Sequence, residues 1–417
     1  MSNLNVVANK LRHAKIFQYL GPGLIVTVGF IDPGNFATNA AGGASFGYSL
    51  LWVITLSTLM LILLQHMAAH LGIQTGRCMP EAIATHFSRP AKAVIGVTAM
   101  LACVATALAE VLGAAIGLNI LWHVPLVIGA TVTGAIVVAL IWSQVYRRLE
   151  SIIIGFVSII GFCYLAEVII VRPDWSQAVL GSFTPSLSSR SILIAMAMLG
   201  AVVMPHNIFL HSEIIQSRDW SARDEKEREQ LMRFEFLDTL LSMGAGWLIN
   251  SAMIIVAAAV FFKAGVQVSE LPQVAQTLTP LAGPLAGLLF AVALLCSGIS
   301  SSITAGLAGG TCFSGFIGKE TEFGDKWFRI GVTLTLVPAV LIVALGFNPM
   351  RALILSQAAL SLQLPFTIIP LYLLTRSEKV MGRFRNTWRE NALLLVTAFI
   401  VIGLNAALLY QTFGGKF

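Results

Sequence analysis

Two short polar motifs interrupt long apolar stretches of the chain. The first reads Asp-Pro-Gly-Asn at residues 32–35, and the second reads Met-Pro-His at residues 204–206. Proline lacks the backbone N–H that a helix needs and glycine tolerates unusual dihedral angles, so we expect Pro33, Gly34 and Pro205 to break two helices. Carbonyl groups freed at bilayer depth are tolerated only where they are buried in protein or line a wet cavity.

The groups that these breaks present could coordinate a cation. Asp32 supplies an anionic oxygen and Asn35 an amide oxygen, and the break at Pro205 frees the backbone carbonyl close to Ala201. Met204 adds a soft thioether. An all-oxygen set suits magnesium or calcium, whereas a thioether favours softer transition metals. The set indicates a site for a divalent transition-metal ion, against the common alternative that a methionine in a span only packs.

The elements that carry these motifs are expected to lie in a membrane. Of the 417 residues, 57% are hydrophobic and 11% are charged, and the mean hydropathy is +0.83. Soluble proteins carry about 25% charged residues, so this composition excludes most cytosolic enzymes, nucleic-acid binders and secreted scaffolds. The sequence has no P-loop, which argues against an ATP-driven pump.

Eleven apolar windows are long enough to cross a bilayer, since a spanning helix needs about 20 residues. They lie at residues 17–42, 46–70, 91–120, 124–143, 151–171, 192–217, 236–262, 283–314, 328–347, 351–374 and 391–412. The two motifs interrupt the first and the sixth windows. Paired breaks of this kind indicate a transporter built from inverted repeats, with its site near the bilayer midplane. We therefore expect a first repeat at 17–171, a second repeat at 192–374 and a further span at 391–412.

The distribution of basic residues predicts the orientation of the chain. If the N-terminal segment 1–16 lies in the cytoplasm, 21 of the 26 Lys and Arg residues fall on the cytoplasmic side. This bias follows the positive-inside rule and predicts an external C-terminus. The net charge of +6 is thus explained by topology and gives no reason to expect a nucleic-acid partner. We predict a multi-pass protein of the bacterial inner (plasma) membrane.

The paired motifs resemble the natural resistance-associated macrophage protein (Nramp) family, in particular its bacterial manganese-transporting branch. The resemblance covers essentially the whole chain and includes Ala-Glu at residues 109–110 and Ser-Gln at residues 356–357. It implies an all-α, LeuT-like fold with a 5+5 inverted repeat and broken first and sixth helices. It also implies proton-coupled import of Mn²⁺ or Fe²⁺, with Cd²⁺ and Co²⁺ accepted. We expect no catalytic residues, no resident cofactor and no obligate protein partner.

The resemblance also assigns roles to single residues. It implies metal ligation by the following groups: Asp32, Asn35, the Ala201 carbonyl, Met204 and, in some conformations, Gln357. It implies that Asp32, Glu110 and His206 take part in proton movement, and that Arg329 corresponds to a basic residue of the same route. A carboxylate inside a span is costly unless it is paired or functional, which supports Glu110 independently. A lone buried histidine such as His206 is as often structural.

The chain departs from the family at two positions. Many relatives carry an aspartate one turn before the glutamate of the third span, where this chain has Ala107. Relatives often begin the ninth span with two arginines, whereas here Arg329 is followed by Ile330. The missing residues resemble an acid–base pair, and losing both leaves neither charge unpaired. Proton coupling is therefore expected to be weaker or differently routed, or absent.

Two other functions agree less well with the sequence than metal transport does. A sodium-coupled transporter of organic solutes with the same fold would bind a substrate carboxylate at half-helix N-termini, yet Asp32 places an anion there. A membrane enzyme or receptor lacks a catalytic constellation. The histidines near span ends are expected to be interfacial or hydrogen-bonded; they are His66, His70 and His211. Glu167 could belong to a charge network whose partner the sequence does not reveal.

Overall fold

The computed structural model describes residues 22–143, 146–218, 225–268, 270–321 and 325–413, and all regular structure within these residues is helical. The predicted N-terminal segment 1–16 lies outside the described residues. The α-helices in chain order are α1 (Pro22–Gly29), α2 (Pro33–Phe46), α3 (Leu51–Thr75), α4 (Met79–His86), α5 (Arg89–Trp122), α6 (Leu126–Trp142), α7 (Tyr146–Val171), α8 (Trp175–Phe183), α9 (Ile192–Val202), α10 (Pro205–Ile214), α11 (Glu225–Ala257), α12 (Leu271–Ala282), α13 (Pro284–Phe316), α14 (Lys326–Ala344), α15 (Pro349–Gln363), α16 (Pro365–Thr375), α17 (Glu378–Met381) and α18 (Trp388–Thr412).

Many of these helices have the length and composition of membrane spans. Nine stretches of the described residues qualify, and the 17-residue helix α6 is apolar but shorter. The predicted first and second spans share one of the nine, Pro33–Thr75, because the turn Gly47–Leu50 joins α2 directly to α3. Large apolar side chains are exposed on the outer helices, for example Phe162, Leu341 and Phe399. Such an apolar outer surface is suited to contact lipid. The prediction of an all-α polytopic membrane protein is therefore confirmed.

The structure confirms both predicted helix breaks. Helix α1 ends at Gly29 and α2 starts with Pro33 at its first turn. Helix α9 ends at Val202 and α10 starts with Pro205. In each case proline cannot donate the hydrogen bond that would continue the preceding helix, and it is well suited to the first turn of the next one.

The four half-helices pack against one another in the interior of the bundle. Helix α9 packs against α2, and α10 packs against α1. Helices α5, α11, α13 and α15 surround them and supply the side chains described below. Buried apolar residues form one large cluster around this centre. The bundle therefore encloses the two breaks away from the lipid-facing surface.

Candidate metal site

Asp32 is the N-cap residue of α2 at the first break. Its Oδ1 accepts the backbone N–H of Asn35 at 2.7 Å, and its Oδ2 accepts Nε2 of Gln357 at 3.3 Å. The side chain is fully buried. No ion pair to Asp32 occurs among the described residues, so neutral donors and the N-terminus of α2 stabilise the carboxylate. A buried anion with this surrounding is suited to receive a cation.

The backbone at the first break is held by side chains from two other helices. Nδ2 of Asn250 on α11 donates to the carbonyl of Phe30 at 3.0 Å. Oγ of Ser297 on α13 donates to the carbonyl of Ile31 at 2.6 Å. These bonds satisfy carbonyls that lie outside both α1 and α2, which removes the cost of burying them unpaired. The first break is therefore a fixed structural element.

Asn250 also orients the amide of Asn35. Its Oδ1 accepts Nδ2 of Asn35 and, at 2.9 Å, Nδ2 of Asn39. Because the amide nitrogen of Asn35 is used in this way, its Oδ1 is left buried without a hydrogen-bond partner among the described residues. An unpartnered buried oxygen is rare in proteins and is the atom that a cation would use.

The second break presents a carbonyl and a thioether. In an unbroken helix the Ala201 carbonyl would accept the N–H of residue 205, which Pro205 does not have. Ala201 and Met204 are fully buried. The sulfur of Met204 accepts Nδ2 of Asn207 at 3.7 Å. The predicted soft ligand and freed carbonyl are thus both in the protein interior.

Gln357 on α15 lies between the two breaks. A Cβ atom at Gly34 would lie 1.9 Å from Nε2 of Gln357, and one at Gly200 would lie 2.0 Å from its backbone oxygen. Only glycine permits both approaches. Oε1 of Gln357 has no hydrogen-bond partner within the described part of the chain. This residue therefore adds a second unpartnered amide oxygen beside Asp32.

The two breaks also contact each other directly, through Asn207 and Gly29. A Cβ at Gly29 would lie 2.0 Å from Nδ2 of Asn207. The structure thus places the five predicted ligand residues on two packed breaks and on the α15 residue that touches both. They are Asp32, Asn35, Ala201, Met204 and Gln357.

Glu110 on α5 lies next to the first break. Its Oε1 accepts Oγ1 of Thr106 at 3.2 Å, and its Oε2 has no hydrogen-bond partner among the described residues. One turn further along α5, a Cβ at Gly113 would lie 2.0 Å from Cβ of Pro33. The glutamate is fully buried. It is therefore positioned close to the candidate metal site.

The other two residues of the predicted proton route, His206 and Arg329, lie in different parts of the structure. His206 is fully buried at the second break, and neither ring nitrogen has a partner in the described ranges. Arg329 lies on α14, where Cζ of its guanidinium is 5.8 Å from the centre of the Trp142 ring. Helix α14 packs mainly against α5, α6 and α13. The structure does not bring Arg329 to the broken helices.

Sequence reasoning missed three residues of this site. Asn250 and Asn207 are asparagines inside apolar spans, and polar residues at such positions are a signal of function or structural bonding. Ser297 belongs to a run of small residues in the eighth predicted span, and such runs more often serve helix packing. The structure assigns it a bond to the first break.

A second group of potential ligands lies near α4. Side-chain atoms of Cys78, Glu81 and Glu213 lie within 4.8 Å of one another. The carboxylate of Glu81 is engaged, because it accepts the N–H groups of Cys78 at 3.0 Å and of Thr321 at 2.9 Å. Burial raises the pKa of the Cys78 thiol well above its usual value, so the thiol keeps its proton. This group is a helix cap with a buried thiol.

The family model for natural resistance-associated macrophage protein-like sequences matches residues 23–411. The chain belongs to the Nramp family. A Nramp relative named divalent metal cation transporter MntH, from Caldanaerobacter subterraneus, is 42% identical over 405 residues, covering 96% of this chain and 95% of that protein.

Solved structures agree with this assignment. A structure of the Eremococcus coleocola manganese transporter superposes with a TM-score of 0.83 at 32% identity, covering 96% of this chain and 88% of that one. The nucleobase-cation-symport-1 family transporter Mhp1 gives a TM-score of 0.61 at 15% identity, covering 94% and 93%. The second likeness shows the fold alone. Together they confirm the predicted LeuT-like fold, and the Nramp chain is a membrane transporter rather than an enzyme.

Proposed function

We propose that this protein imports divalent transition-metal ions across the plasma membrane, with Mn²⁺ as its main substrate and with Fe²⁺, Cd²⁺ and Co²⁺ accepted. One observation carries the proposal: the buried Asp32 carboxylate lies beside two unpartnered amide oxygens, on Asn35 and Gln357. The Met204 thioether on the adjoining break biases this oxygen-rich set toward transition metals. The relatives' names, divalent metal cation transporter and manganese transporter, support the same substrate class.

Import is proposed to be coupled to protons. Asp32 can hold either a metal ion or a proton, so the two compete for one carboxylate. Glu110 lies beside the first break, with one oxygen unpartnered in the described structure, and can exchange a proton with this region. His206 offers two unpartnered ring nitrogens at the second break. Arg329, on α14 beside the Trp142 ring, is the remaining residue of the proposed route.

The proposed orientation follows the charge distribution. The N-terminus lies in the cytoplasm and the C-terminus outside, because most basic residues then lie on the cytoplasmic side. Metal ions and protons enter from outside and leave to the cytoplasm. Lipid is the remaining expected partner.

Transport of a larger organic solute is disfavoured by the space at the breaks. A single methyl group at Gly34 would overlap Gln357, and one at Gly29 would overlap Asn207. Side chains of other helices therefore already occupy the space beside these two glycines. Asp32 would also repel a substrate carboxylate at the N-terminus of α2.

Metal uptake by purified protein in liposomes tests the proposal. With an inward proton gradient, we expect uptake of Mn²⁺ and Cd²⁺ in the presence of excess Ca²⁺ or Mg²⁺, with acidification of the lumen. Competition by Ca²⁺ at equal concentration would contradict the metal selectivity. Metal-independent uptake of an amino acid would favour the organic solute reading instead.

A further inference from the structure

A hydrogen-bonded histidine–glutamate pair lies between α3 and α11, outside the candidate metal site. Nδ1 of His66 is 2.6 Å from Oε2 of Glu235, and Glu235 also accepts Oγ1 of Thr239 at 2.7 Å. The side chain of Glu235 is 1% exposed and that of His66 is 17% exposed. Ionisable side chains inside a membrane protein are costly to bury and tend to mark functional positions. None of the roles assigned above uses this pair.

Two further histidines surround the pair. The rings of His66 and His70 are stacked with centroids 6.1 Å apart, and neither nitrogen of His70 has a hydrogen-bond partner within the described residues. Nδ1 of His211 on α10 lies 3.0 Å from Oε1 of Gln65, and its Nε2 is likewise unpartnered there. His66 and His211 are therefore hydrogen-bonded, in agreement with the expectation that these histidines are interfacial or hydrogen-bonded. Buried nitrogens without partners are places where protons or water can be exchanged.

The α10 helix links this group to the second break. Asn207 contacts Met204 and lies one helical turn before His211, so the two side chains share a face of α10. His211 then contacts Gln65, the neighbour of His66 in α3. Polar groups thus extend from the break toward the end of α3 that is predicted to face the cytoplasm.

Other ionisable side chains lie near the pair, on the helices that surround it. On α11, Asp238 lies one turn from Glu235, and its carboxylate accepts the N–H of Gly23 at 2.8 Å. On α18, Glu390 acts electrostatically on both His66 and His70. The titratable groups around the pair are therefore the carboxylates of Asp238 and Glu390 and the rings of His70 and His211.

We propose that His66 and Glu235 form a proton-binding site that carries the co-transported proton from the metal site toward the cytoplasm. Before protonation, the Nδ1–H group of neutral His66 donates a hydrogen bond to the Glu235 carboxylate. The pair then has one negative charge, on Glu235. The arriving proton binds Nε2 of His66, and the pair becomes a neutral imidazolium–carboxylate pair until the proton leaves. This acid–base pair replaces the pair that many relatives have at the positions of Ala107 and Ile330. The inference rests on the proposed proton symport.

The test measures metal uptake and lumen acidification together in proteoliposomes. The variants are His66→Gln and Glu235→Gln, each measured alone, and the double variant, which keeps a neutral hydrogen-bonded pair and leaves no buried charge unpaired. The control is Glu378→Gln, which removes the carboxylate of an exposed ion pair with Arg385 at 2.8 Å.

We expect metal uptake to persist in the variants while the number of protons moved per metal falls at least about fivefold, because positioned proton-transfer groups commonly contribute far more than that. The control should keep the wild-type ratio. A wild-type ratio in either single variant or in the double variant would overturn the site and leave symport intact. Uptake by the wild type without acidification would overturn proton symport itself, and this inference with it.

Discussion

The two helix breaks are built from the same elements but are supported differently by their surroundings. At the first break, side chains of Asn250 and Ser297 bond two freed carbonyls, and the Asp32 carboxylate accepts two hydrogen bonds. At the second break, Met204 receives one long contact of 3.7 Å, and His206 has no partner among the described residues. The backbone of the first break is held by two other helices before an ion arrives, with Asn35 Oδ1 left unpartnered as a ligand, whereas no such side-chain bonds hold the second break among the described residues.

This difference suggests a division of roles. Donors and ligands that are already oriented need little reorganisation when an ion binds, so the first break is suited to provide affinity. The thioether of Met204 is soft and neutral, so the second break is suited to select among ions of equal charge. Each of the following predictions alters one side of this contrast, in order of decreasing effect.

Removing the charge at the first break should have the largest effect. Asp32→Asn keeps a good N-cap for α2 because asparagine caps helices about as well as aspartate, yet it removes the anionic ligand. We expect metal uptake to fall to the level of empty liposomes while the protein remains folded. Asp174→Asn is the matched control, since Asp174 is an exposed N-cap of α8 that accepts the N–H groups of Ser176 and Gln177. Equal loss in both variants would mean that capping, and not charge, is responsible.

Removing the support of the first break should have an intermediate effect. Asn250→Ala leaves the ligands in place but frees the amide of Asn35 and the carbonyl of Phe30. Residues that orient metal ligands commonly contribute about 10–100-fold to affinity, and we expect a loss in this range for Mn²⁺ binding by calorimetry. Asn386→Ala is the control, because Asn386 is also buried but bonds Thr375 far from the breaks. Unchanged affinity in Asn250→Ala would show that the first break needs no external support.

Changing the second break should alter selectivity more than rate. Met204→Leu conserves volume and removes the sulfur. We expect discrimination between Cd²⁺ and Ca²⁺ to fall about tenfold, the equivalent of roughly 1.4 kcal/mol, with a smaller change in Mn²⁺ uptake. Met198→Leu, a buried methionine on α9 outside the break, should keep wild-type selectivity. Full selectivity in Met204→Leu would place discrimination at the first break instead.

The sequence was sufficient for the features that depend on local chemistry. Pro33 and Pro205 break their helices because proline lacks an N–H wherever it occurs, and Asp32 and Met204 follow from their positions beside those breaks. The apolar windows predicted most of the long helices. Gln357 was identified through the family resemblance and not from its own surroundings.

The features that the sequence did not reveal depend on contacts between distant parts of the chain. Asn250 is 215 positions from Asn35, and Ser297 is 266 positions from Ile31. No periodicity or motif relates such positions before the helices pack. The same reason explains why Glu235 was not recognised as the partner of His66.

X-ray absorption at the cadmium edge tests the central claim most directly, namely that oxygen ligands of the first break and the sulfur of the second bind one ion together. For Cd²⁺ bound to the purified protein, we predict a shell dominated by oxygen with one sulfur scatterer. The sulfur should disappear in Met204→Leu and persist in Met198→Leu. An all-oxygen shell in the wild-type protein, or a sulfur signal that survives in Met204→Leu, would contradict the account.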